Sequence, residues 1–168
     1  MQSKHTPAAQ ISLGGVLAAL AVVIMSMGTL IPVATYVCPV ICALLLKTVL
    51  ITCGKRIAWA WYGAVAILSV LLAPDKEAAA VFVFVGYYPI LKPAMDRMKL
   101  SWLWKALLFN ASVLVMYWLL MHLLGMEQIL TEFEGMGIVT TAILLILGNV
   151  TFFMLDRLLG MRLKRIHK

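Results

Sequence analysis

The chain has 168 residues, 64% of them hydrophobic and only 12% charged, with a mean hydropathy of +1.01. A water-soluble domain carries roughly 25% charged residues and buries only part of its apolar surface at this size, so an ordinary soluble fold is excluded and lipid is the expected solvent. The net charge of +7 does not point to nucleic acid, because the basic residues sit in short clusters between apolar runs, where they act as topology signals and contacts to anionic headgroups.

The opening MQSKHTPAAQ is short and mildly basic. It could begin a signal peptide, but the apolar run continues to Leu46 with one break and later spans follow, so the first span is read as retained. The apolar block 11–54 is too long for one crossing, since about 20 residues span the hydrocarbon. Gly28 to Pro32 supplies the break: Pro32 disfavours helix at Ile31 and starts the next helix well. This predicts helices over about 11–30 and 33–53.

Lys55 and Arg56 close the second helix. A third follows over about 57–73, with Trp59, Trp61 and Tyr62 at its start, where aromatics fit an interfacial belt. The loop around Asp75, Lys76 and Glu77 offers carboxylates suited to a helix N-terminus. The fourth helix, about 78–92, is short and carries Gly86 and Pro89, with Pro93 just beyond, so a kinked, re-entrant or shielded segment is expected. A basic amphipathic connector holds Lys92, Arg97, Lys99 and one acid, Asp96. The fifth helix covers about 101–124. An acidic loop with Glu127, Glu132 and Glu134 leads to the sixth, about 136–159, and a basic tail fills 160–168.

Six spans put both termini on one side. That side collects Lys4, Lys55, Arg56, Lys92, Arg97, Lys99, Lys105 and the tail. The other collects an uncharged turn, Asp75, Glu77 and the three glutamates, with Lys76 its one cation. The positive-inside rule then makes both ends cytoplasmic. The expected fold is an all-α integral membrane protein, residues 1–168 forming one bundle of six transmembrane helices in the cell (inner or plasma) membrane. No repeat and no soluble domain is visible.

Few residues carry chemistry. Cys38 and Cys42 are four apart and share a helix face; with Cys53 they make an odd set, read as small packing residues rather than a disulfide or zinc site. Gly14 with Ala18, and Gly15 with Ala19, form a small-residue strip that either packs inside the bundle or docks a separate membrane subunit. Asn110 and Asn149 in apolar helices either bond between helices or contact a ligand. Asp156 beside Arg157 can pair with a basic connector residue. His122, near Tyr117 and Trp118, suits an interface, and Tyr87 with Tyr88 either line a pocket or sit in an inner aromatic belt. The chain has no Walker A loop, no HExxH, no CxxC and no Gly-x-Ser-x-Gly elbow. No enzyme, cofactor or metal is therefore expected.

In outline the chain resembles the substrate-binding S component of bacterial energy-coupling factor (ECF) transporters: about 170 residues, six spans, both ends inside, a small-residue strip on the first helix and a basic tail. The resemblance implies a subunit that captures a vitamin-like micronutrient from outside, with a transmembrane T subunit and ATPase subunits as partners. The family's Ala-x-x-x-Ala-like docking strip would correspond to Gly14, Gly15, Ala18 and Ala19, with glycine at the first position. Its outward pocket, formed by the later helices and outer loops, would draw on Tyr117, His122, Glu132, Thr140 and Thr141, with Asn110 and Asn149 further candidates. No residue points to a particular solute. A non-catalytic membrane scaffold and a lipid-modifying enzyme using Tyr87, Tyr88, Lys92, Asp96 and Arg97 are the competing readings.

Overall fold

A computed structural model describes residues 7–27, 34–122 and 138–161. Their regular structure is entirely helical: α1 Pro7–Ser26, α2 Ala34–Cys53, α3 Lys55–Leu72, α4 Lys76–Val85, α5 Tyr88–Met95, α6 Ser101–His122 and α7 Ile138–Gly160. Five segments are long and apolar enough to cross a membrane, namely Ala8–Ser26, Thr35–Cys53, Lys55–Leu72, Lys76–Met95 and Ser101–Leu120. The 23 residues of α7 carry only Asp156 and Arg157 as charges. The expected turn at 28–33, the acidic loop with Glu127, Glu132 and Glu134, and the tail from Arg162 lie outside the described residues.

The chain divides into two compact units, Met1–Met98 and Lys99–Lys168. In the first, α1, α2, α3 and the α4–α5 pair pack around a core rich in small side chains, including Ala21, Cys42, Ala58, Ala78 and Ala79, with Leu46 and Phe82 filling the larger spaces. Small residues let helix backbones approach closely, and dispersion then acts over many atoms.

Single residues set the connections. Gly54 alone joins α2 to α3, with φ of 88°, a backbone state that glycine reaches without a side-chain clash. Lys55 and Arg56 therefore open α3 instead of closing α2, two residues earlier than the sequence suggests. Cations at a helix start oppose the dipole by a few tenths of a kcal/mol, so local propensity did not choose this placement. Asp75 caps α4, accepting from the Ala78 amide at 3.0 Å, as the carboxylate-rich loop suggested.

The fourth predicted helix does break. α4 ends at Val85 and α5 begins at Tyr88, while Gly86 and Tyr87 keep right-handed helical angles, so the axis bends without reversing. The cause is chemical: Pro89 and Pro93 lack the amides that would bond the carbonyls of Val85 and Pro89. Gly86 sits where an added Cβ would lie 2.7 Å from the Phe82 ring. Together the two pieces run 20 residues, Lys76–Met95, longer than the 78–92 expected. That is about 30 Å at 1.5 Å per residue.

Hydrogen bonds fix the two ends of this unit. At one end the Thr35 hydroxyl donates to Asp75 Oδ2 at 2.7 Å and the Tyr36 hydroxyl to Glu77 Oε1 at 3.0 Å. At the other, the Cys53 thiol meets the Gln10 carbonyl at 3.4 Å, beside Lys55 and Arg56. Acidic and basic groups thus lie at opposite ends of the first unit.

The second unit pairs α6 with α7. Lys105 faces Asp156, Phe109 faces Phe152 and Asn110 faces Asn149. One number rises as the other falls, so the helices are antiparallel, and Lys105 and Arg157 share an end.

Candidate functional site

The small-residue strip of α1 is split between two faces. Gly14 is buried, an added Cβ there would lie 3.9 Å from Ile57 Cγ2, and its carbonyl accepts the Trp61 indole N–H at 3.1 Å. Ala18, half-buried, packs against the core with Leu17. Gly15 and Ala19 are exposed, and an added Cβ on Gly15 would meet nothing within 4 Å. Residues four apart share a helix face and adjacent residues do not. The strip thus serves internal packing on one side and leaves a smooth surface on the other, where Val16, Leu20 and Val23 are also exposed.

The aromatic residues at the start of α3 also divide. Trp59 is exposed, as an interfacial residue would be, but Trp61 is only 4% exposed and belongs to the core, against the belt expectation. Its indole N–H has the Gly14 carbonyl as partner, which lets it be buried. Tyr62 packs edge-on against Trp59 and Tyr87, with ring centroids 5.9 and 6.0 Å apart, and its hydroxyl donates to the Val83 carbonyl. Tyr88 is buried and Tyr87 half-buried. The two tyrosines therefore sit in a packed seam beside the helix break.

Asn110 and Asn149 bond each other. Each side-chain amide donates to the other's Oδ1 at 3.0 Å. Each also donates to a carbonyl four residues back, Ala106 at 2.8 Å and Leu145 at 2.9 Å. All four N–H groups are engaged, the interhelical arrangement that amides in apolar helices require. Phe109 and Phe152 stack beside them at 4.6 Å, and a Cβ added to Gly148 would make an ordinary contact with the Phe109 ring at 3.6 Å. Lys105 Nζ reaches Asp156 Oδ2 at 3.1 Å, with side-chain exposures of 7% and 17%. Asp156 thus pairs with a cation of α6, where the sequence suggested one in the connector.

The remaining candidates stand elsewhere along this helix pair. His122 Nδ1 lies 3.1 Å from the Trp118 carbonyl, so the tautomer protonated at Nδ1 makes that bond, and its ring stacks on Trp118 at 5.1 Å. Tyr117 is half-buried, seven residues along α6 from Asn110, or about 10 Å. Thr140 and Thr141 lie at the start of α7, which the antiparallel register puts at the His122 end. Glu132 is outside the described residues. The candidates therefore fall at two levels: an asparagine pair toward the Lys105–Asp156 end, and Tyr117, His122, Thr140 and Thr141 toward the other.

The sequence reading passed over Lys47, the one charged residue among the 20 of α2. A charge inside an apolar helix is itself a functional signal, and it could have been found by scanning each span for its exceptions. Among the described residues no group of three or more His, Cys, Asp or Glu is placed to hold a metal ion. No family profile, curated protein or solved structure matches the chain.

Proposed function

We propose that the chain is a six-span protein of the cell membrane with both termini cytoplasmic, acting as the solute-binding subunit of a micronutrient uptake transporter. In this reading it captures a small molecule from the outer face and relies on a transmembrane T subunit and ATPase subunits for energy. The carrying observation is the outward half of the α1 strip: Gly15 and Ala19 lie exposed while Gly14 and Ala18 pack inside. Internal packing accounts for one pair and leaves the other for a second membrane helix, which small-xxx-small surfaces accommodate. Charge placement supports the orientation. Lys55, Arg56, Lys92 and Arg97 lie opposite Asp75 and Glu77 in the first unit, and Lys105 shares an end with Arg157 in the second. Basic ends face the cytoplasm. Tyr117, His122, Thr140 and Thr141 then fall toward the outer end, and Glu132 lies between their helices in sequence.

The test is purification of the tagged full chain from its own membranes in mild detergent, with mass spectrometry of co-purifying proteins and small molecules. Recovery of a T subunit and ATPases, lost with Gly15→Leu and with Ala19→Leu at unchanged yield, is the expected result. Recovery that survives both substitutions would contradict docking through α1.

A second reading, a non-catalytic membrane scaffold, is favoured by the Asn110–Asn149 pair, since two candidate solute contacts bond each other. It expects the chain alone, with no bound small molecule, in the same experiment.

A further inference from the structure

Two helices of the first unit bring three sulfur atoms to one level of its core. On α2, Cys38 and Cys42 stand on consecutive turns, both buried and both free thiols. On α1, Met25 stands one turn beyond Ala21 and is fully buried. Two contacts fix the register of this helix pair. The Cys42 thiol donates to the Ala21 carbonyl at 3.5 Å, and the Cys53 thiol to the Gln10 carbonyl at 3.4 Å. In an antiparallel pair one number rises as the other falls. Met25, four residues on from Ala21, therefore comes opposite Cys38, four back from Cys42.

α3 adds an oxygen at that level. It packs against both α1 and α2 and starts across Gly54 from Cys53. Ser69 is fourteen residues along it from Lys55, about 21 Å, and Cys38 is fifteen from Cys53, about 22 Å. Ser69 continues the buried face of α3 that carries Trp61 and Val65. Its hydroxyl is the one buried side-chain polar atom among the described residues without a hydrogen-bond partner. Such a group costs about 1–3 kcal/mol. A thiolate would be the acceptor it lacks, and thiols become thiolates when a metal takes the place of their protons.

The donor set selects the ion. Thiolate and thioether sulfur favour Cu(I). Among the described residues no histidine, aspartate or glutamate joins Cys38 and Cys42 in a metal-holding group, which leaves zinc short of its usual four ligands. With a metal–thiolate bond of about 2.3 Å, the zinc value, two sulfurs on one ion lie at most about 4.6 Å apart. Side chains on adjacent turns, with Cβ atoms about 5–6 Å apart, reach that separation. Pro39 between them does not interrupt α2.

We propose that Met25, Cys38 and Cys42 bind one Cu(I) ion between α1 and α2, with the Ser69 hydroxyl donating to a cysteine thiolate. Each cysteine that ligates as thiolate releases its proton to solvent. One proton released leaves the site neutral, and a second leaves it with a single negative charge. The ion enters as Cu(I), so no electron is transferred. The site lies toward the end that carries Asp75 and Glu77, and Thr35, bonded to Asp75, stands three residues before Cys38. Carboxylates there attract a cation. The inference is independent of the α1 docking face and of the candidates in the second unit.

The experiment gives full-length protein in mild detergent Cu(I), kept reduced by ascorbate and buffered by bicinchoninate. Copper per chain is measured after gel filtration by atomic absorption. One copper per wild-type chain is expected, kept by Cys53→Ala at the opposite end of the unit and lost by Cys38→Ala and Cys42→Ala. Met25→Leu conserves volume and Ser69→Ala removes an unpartnered hydroxyl, so these two test the site even where a cysteine variant fails to fold. Each should weaken copper binding about tenfold or more, as loss of a supporting group does in metal sites. No copper on the wild-type chain, an equal loss in Cys53→Ala, or unchanged affinity in both Met25→Leu and Ser69→Ala overturns the site. Displacement of the copper by an equal concentration of Zn(II) overturns the choice of ion.

Discussion

The two units hold their helices together by different chemistry. In the first, apart from Thr35 with Asp75 and Tyr36 with Glu77 at one end, side-chain donors reach main-chain acceptors on another helix: Trp61 to Gly14, Cys42 to Ala21, Tyr62 to Val83 and Cys53 to Gln10. In the second, side chains meet side chains: Lys105 with Asp156, and Asn110 with Asn149 in both directions. A backbone carbonyl is present whatever residue carries it, so the first kind of bond tolerates change at the acceptor position. The second kind needs both partners, and losing one strands the other in an apolar setting. The first unit should therefore respond to lost space and the second to lost partners.

The largest expected effect breaks the second unit. Lys105→Met removes the ammonium that faces Asp156 at 3.1 Å and should lower stability by about 3 kcal/mol, read by thermal or denaturant unfolding in detergent. Adding Asp156→Leu should restore much of that loss, and a double variant no better than the single would show that the pair is not the cause. Next comes the first unit: Gly86→Ala should cost about 2 kcal/mol. Its backbone angles are right-handed helical, but the new Cβ would press first on the Phe82 main-chain carbonyl, which cannot swing away, and then on the buried Phe82 ring at 2.7 Å. Asn110→Leu should cost about 1 kcal/mol and couple to Asn149→Leu in a double-mutant cycle. Tyr62→Phe should cost about as much, yet add independently to Val83→Ala, because the bond is to a carbonyl that remains. The smallest effect is Ser69→Ala. The Ser69 hydroxyl is buried without a hydrogen-bond partner, so its removal should be neutral or stabilising by up to about 1 kcal/mol.

What could be read from the sequence follows the same division. The helices were legible because apolar runs of spanning length leave few alternatives, and the break near Gly86 because proline removes amides whatever surrounds it. Asn110, Asn149 and Asp156 stood out as polar residues on apolar helices, and interhelical bonding was one of the readings they allowed. Trp61 was misplaced because its partner is the carbonyl of a glycine, which has no side-chain signature. The start of α3 was misjudged because one glycine in a left-handed conformation turns the chain where Lys55 and Arg56 looked like a stop. The two faces of the α1 strip could not be separated from spacing alone, since which face is covered depends on α3. Lys47 was visible from the start, and was missed only because charges were counted in the loops.

Orientation turns first on which side of the membrane the start of α4 and the connector after α5 face. With Cys38, Cys42 and Cys53 changed to alanine, single cysteines at exposed Lys76 and Lys99 can be labelled in intact cells with a membrane-impermeant maleimide. Labelling of Lys76→Cys in intact cells, with Lys99→Cys labelled only after permeabilisation, is expected for the proposed orientation. Labelling of both from the same side, or of Lys99→Cys alone from outside, would contradict it.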